Sequence, residues 1–97
     1  MDRFSILAIL EAKPGKEQEV ASFLKSARPL VLQEVGTSTW FAFQTGPTSF
    51  GIFDTFADAD GRDAHLTGEV AKALFASAEE LFAEKPQINM ADLLATK

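Results

Sequence analysis

The chain has no cysteine and no tyrosine, and only one histidine and one tryptophan among its 97 residues. Without cysteine there is no disulfide framework, no thiolate zinc site and no thiol nucleophile. A lone His65 builds no histidine-rich metal site, so no metal is expected. Basic residues are also scarce: nine Lys and Arg stand against fourteen Asp and Glu, a formal charge of −5. That imbalance repels a phosphate backbone and an anionic lipid surface, which removes nucleic acid and membrane from the expected partners. No apolar run approaches the roughly 18 residues that cross a bilayer. Met1-Asp2-Arg3-Phe4 lacks the basic and apolar regions of a secretory signal, which sets the expectation of a cytoplasmic protein.

What is present is apolar bulk. The chain is 46% hydrophobic and carries nine Phe, enough to build a core, and its length suits one domain, residues 1–97. From Phe4 to Ala12 both alternating sets are apolar, the pattern of a strand buried on two faces. Pro14-Gly15 punctuates it, and from Lys16 the period changes: Val20, Phe23, Leu24, Ala27 and Val31 fall at helical spacing. Pro29 lacks the N–H that would bond the Lys25 carbonyl, which predicts a kink or an early end, with Gly36 as the C-terminal cap. Thr37–Thr45 and Ser49–Phe56, rich in aromatic and β-branched residues around Gly46-Pro47-Thr48, read as a β-hairpin. Asp58 offers an N-cap to a second helical region running to about Glu84, which Thr67-Gly68 weakens and can split. Gln87–Thr96 reads as a last strand at a sheet edge. The three nearby acids Asp58, Asp60 and Asp63 lack the spacing and the bidentate Glu of a calcium loop and read as helix-start charges.

The order β-α-β-β-α-β is the split βαβ arrangement, an α+β ferredoxin-like antiparallel sheet with both helices on one face. Large apolar residues nevertheless point to both faces of the strands. The second face requires cover, and a second copy packing sheet against sheet, a homodimer, supplies it.

Ala12-Lys-Pro-Gly-Lys16 after the first strand, Gly36-Thr-Ser-Thr-Trp-Phe-Ala-Phe43, Phe50-Gly-Ile-Phe-Asp-Thr-Phe56 and His65 in the next helix together resemble the antibiotic biosynthesis monooxygenase family. The resemblance covers nearly the whole chain. It implies a dimeric α+β barrel with a ligand cavity between sheet and helices in each subunit. It also implies either cofactor-free oxidation of quinols or polycyclic phenols by O₂ or, in a related branch, heme binding and cleavage.

His65 is the one side chain whose ordinary pKa lies near neutrality, so general-base work falls to it first; its other role is to fix helix to sheet by hydrogen bonds. Arg62, three residues earlier on the same helix face, can orient a substrate oxyanion or pair with Asp58 or Asp63. Asp54 ends an apolar strand, where His65 or Arg62 can partner it or it can reach solvent. Trp40, with Phe43 and Phe53, is placed to grip an aromatic ring or to pack in the core. The heme-cleaving branch implies a pocket lined by a Trp, a His and a first-strand Asn; the one Asn here is Asn89, and Ser5 is the nearest polar residue of the first strand. The missing Tyr removes a phenol donor. Together with the resemblance, which implies the activity, these residues set the expectation of a cofactor-independent monooxygenase acting on a small aromatic ligand, with His65, Arg62 and Asp54 catalytic and Trp40, Phe43, Phe53 and Ser5 binding substrate. A heme-binding or heme-degrading protein and a non-catalytic ligand-binding dimer are the alternatives.

Overall fold

The computed structural model describes residues 2–97. Alternation along the first strand, β1 (Phe4–Glu11), puts Ile6, Ala8 and Leu10 into the core, with Leu10 completely buried. The chain turns at Gly15, whose φ of 86° is a left-handed conformation that glycine adopts without steric penalty. Helix α1 (Glu17–Val31) then buries Val20, Leu24, Ala27 and Val31, a stripe at intervals of three and four residues. Pro29 does not break this helix early. It lies in the last turn, where its missing N–H leaves only the Lys25 carbonyl unserved, and the helix closes with Leu32 N–H donating to Arg28 O at 3.0 Å.

Gly36 is not the cap expected of it. Leu32 occupies that position in a right-handed conformation, and Gly36 instead packs against Gly61, where a β-carbon on Gly36 would sit 2.7 Å from Gly61 Cα. The glycine is there because two backbones touch.

Strands β2 (Thr37–Gln44) and β3 (Ser49–Phe56) form the hairpin. Asp58 caps α2 (Ala59–Leu66), accepting from Gly61 N–H at 2.7 Å. Thr67 closes that segment and Gly68 opens α3 (Glu69–Leu81), so the second helical region is two helices. Strand β4 (Gln87–Asp92) is shorter than the expected Gln87–Thr96 and lies at a sheet edge; beyond it Leu93 N–H still donates to Arg3 O at 2.7 Å.

The sheet order is β2-β3-β1-β4 with every pairing antiparallel, the α+β ferredoxin-like arrangement. Helices cover one face, where Leu10, Val20, Leu24, Phe50, Ile52, Leu74 and Leu81 share the core. Each large side chain fully buried there contributes roughly 1.5–3 kcal/mol. The other face leaves Ile9, Phe41 and Phe43 exposed.

Candidate active site at the covered face of the sheet

The registers place Trp40 beside Asp54 and Asp54 beside Ile6, all on the helix-covered face. Helix α2 crosses above and lowers His65 onto Asp54. His65 Nε2 lies 2.9 Å from Asp54 Oδ2, and Nδ1 lies 2.5 Å from Glu34 Oε1. The imidazole is therefore clamped between two carboxylates, with the Phe56 ring 5.3 Å from its centroid. His65 is 8% exposed and Asp54 1%. Ionised carboxylates only accept, so satisfying both contacts requires a proton on each ring nitrogen. Burial works against that charged form, but the hydrogen bond to Asp54, the one to Glu34 and the two negative charges outweigh it and raise the pKa above its ordinary value.

Glu34 was not among the residues singled out from sequence. It sits in the connection between α1 and β2, outside any periodic segment, and 31 positions separate it from His65. Its Oε1 also accepts from Thr37 Oγ1 at 2.7 Å. A β-carbon on Gly68 would come within 3.2 Å of its other oxygen, so the carboxylate lies close to the start of α3, where helix N–H groups favour negative charge. The Gly36–Gly61 contact holds the Glu34 connection against α2.

Two open cavities run along the gap between α1 and β2. One, of about 360 Å³, is bordered by Leu24, Phe50, Trp40, Lys25 and Arg28. The other, of about 450 Å³, shares Arg28, Trp40 and Ala42 with it and reaches Glu34 and Thr37. Both fall within the size range of ligand sites. The gap exists because the helices stop short of this sheet edge: Ala42 is exposed although it lies on their side. His65 borders neither cavity. It borders one of about 30 Å³ with Asp54, Ile52 and Leu74, room for about one water and none for an aromatic ring. His65 thus meets the groove only through Glu34.

The remaining sequence candidates separate. Arg62 pairs with neither Asp58 nor Asp63: its guanidinium lies 5.0 Å from the centre of the Phe4 ring and donates to Ala91 O at 3.4 Å. Ser5 and Phe53 are on the opposite sheet face, where Ser5 Oγ donates to Ala91 O at 3.1 Å. Phe43 is on that face too, its ring lying over Gly51, but it is on the edge strand and the residue also borders the 360 Å³ cavity. Trp40 lines both groove cavities, with its indole N–H buried and without an acceptor.

Neither a protein-family model nor a curated protein matches the sequence. Among solved structures, a Nitrosomonas europaea protein of unknown function is 49% identical over 100% of this chain and 94% of its own, with a TM-score of 0.97. At that identity the two chains are members of one family. A second Nitrosomonas europaea structure, named for the antibiotic biosynthesis monooxygenases, superposes with a TM-score of 0.84 at 14% identity, covering 95% of this chain and 99% of its own. A third, from Bordetella bronchiseptica and named for the same group, gives 0.79 at 17% identity over 98% of this chain and 100% of its own. The chain has the antibiotic biosynthesis monooxygenase fold. The resemblance read from the sequence motifs holds at that level.

The residues do not fit a heme. A histidine ligand must present a free ring nitrogen to iron, and both nitrogens of the one histidine are occupied by carboxylates. What the cluster can do is hold protons: two carboxylates and an imidazole share them across a buried path that ends at the groove wall.

Proposed function

We propose that the protein is a cofactor-independent monooxygenase of a small quinol-like aromatic, working in a cytoplasmic setting as a homodimer. The substrate ring lies in the α1–β2 groove against Trp40, and its hydroxyl proton goes to the Glu34 carboxylate, which the His65 imidazolium, held in turn by Asp54, keeps in place. The observation that carries this reading is that Glu34, bonded to His65, lines the same groove as Trp40. The raised pKa keeps the His65 ring protonated against Glu34 and Asp54, so the group that meets the substrate proton is the Glu34 carboxylate. Once deprotonated, a quinol is electron-rich enough to reduce O₂ directly. One oxygen atom enters the ring, the quinol becomes a hydroxyquinone, and the second oxygen leaves as water, so the substrate itself supplies every electron. The dimer is supported by exposed Ile9, Phe41 and Phe43 on the uncovered sheet face.

Oxygen uptake with a panel of quinols tests this. At least one quinol is expected to be consumed well above its autoxidation rate, and His65→Ala and Glu34→Gln are expected to remove about a hundredfold or more of that excess. A panel oxidised no faster than buffer refutes the activity; full activity in His65→Ala refutes the proton path.

A further inference from the structure

The groove carries charge of both signs along its length. Lys25 borders only the 360 Å³ cavity, and Glu34 borders only the 450 Å³ one, with Arg28, Trp40 and Ala42 common to both. Lys25 and Arg28 are three residues apart on one helix, so their side chains emerge side by side. Among the described residues, the ion pairs within 4 Å involve neither of them. In a chain of charge −5, two adjacent cations with no carboxylate partner among the described residues, both bordering a largely apolar cavity, are an unusual local surplus. Leu24 and Phe50 supply apolar wall on the Lys25 side, and Trp40 is common to both cavities. Apolar wall, a cation at Lys25, a second at Arg28 where the two cavities meet, and an acceptor at Glu34 define the complementary ligand.

We propose that this groove selects aromatic acids that carry a ring hydroxyl, the acid group held by Arg28 and Lys25 and the hydroxyl directed to Glu34. Arg28 supplies planar, paired donors to a carboxylate, and Lys25 supplies a second charge beside it. The inference rests on the groove being the ligand site, as in the monooxygenase reading, and adds the charge of the substrate. A neutral quinol of the same size leaves both cations unused, and a cationic one is repelled by them.

Trp40 is the one tryptophan, so its fluorescence reports occupation of this groove and no other. Titration with para-hydroxybenzoate, para-hydroxybenzamide and para-hydroxybenzylamine keeps ring and hydroxyl constant while changing only the charge. The acid is expected to quench with an affinity roughly tenfold above the amide, the amine weakest, with the gap between acid and amide narrowing as salt is raised. In the Lys25→Gln/Arg28→Gln double variant, whose substituted positions are exposed and whose fold is checked by its melting temperature, acid and amide are expected to converge. Equal affinities in the native protein, or a preference for the acid that survives the double substitution, overturn the charge selection and leave the groove as a ligand site. If none of the three compounds produces saturable quenching, the ligand groove itself falls, and the charge selection with it.

Discussion

Replacing Gly61 by alanine sets two effects of opposite sign against each other. Gly61 is the third residue of α2, and by helix propensity alone alanine there would stabilise by about 1 kcal/mol. The structure predicts the reverse. A β-carbon on Gly61 would lie 2.7 Å from Gly36 O and 3.2 Å from both Gly36 C and Cα, and these are backbone atoms that cannot rotate aside. Relieving that overlap requires α2 to move from the α1–β2 connection, and because backbone meets backbone the penalty falls in the upper part of the overpacking range, roughly 2–3 kcal/mol, which exceeds the propensity gain. A net loss of about 1–2 kcal/mol lowers the melting temperature of a domain this size by roughly 4–8 °C per kcal/mol, read by circular dichroism. Because the same connection carries Glu34, the movement also pulls the carboxylate from His65 Nδ1, and NMR titration of the ring protons should find the imidazole pKa lower than in the native chain. An unchanged or higher melting temperature refutes the close-contact explanation, since propensity would then have won.

The buried imidazole makes stability depend on pH in a defined direction. His65 is raised in the folded state, so its contribution is complete below the ordinary value near 6.5 and is lost as pH climbs through the raised one. Melting temperature should decline on the alkaline side of neutrality, and His65→Gln should flatten that decline; a native profile already flat from pH 6 to roughly 9 contradicts the carboxylate clamp. Asp54→Asn removes the leading hydrogen-bonded charge and should move the NMR midpoint of His65 downward; an unmoved midpoint means that Asp54 does not set it. For the sheet face, light scattering should return twice the chain mass of 10.5 kDa, and Phe41→Glu should shift it toward one. A native monomer at micromolar concentration would overturn the dimer.

Much of the fold was legible without coordinates. The two-residue and 3.6-residue periods marked the strands and helices, the Gly-Pro-Thr turn marked the hairpin, and Asp58 marked a helix start, because each is a local preference of the backbone. His65 stood out because it is the one group of its kind. Some of the site was legible and misassigned: alternation along β3 already separates Phe53 from Asp54, since neighbours on a strand face opposite ways. Placing both in one pocket conflicts with that rule, and the registers put Phe53 and Ser5 on the face away from His65.

Sequence by itself determined the order of elements, the excess of apolar surface for a single covered sheet face and the exclusion of thiol chemistry. Only tertiary structure decided that Glu34 reaches His65, that Gly36 exists for Gly61, and that the open groove runs along β2 where the helices stop short. The physical reason is range. Periodicity and capping act within a turn or two of chain, whereas a carboxylate 31 residues from an imidazole becomes its partner only when a loop, a helix and a strand have been packed against one another.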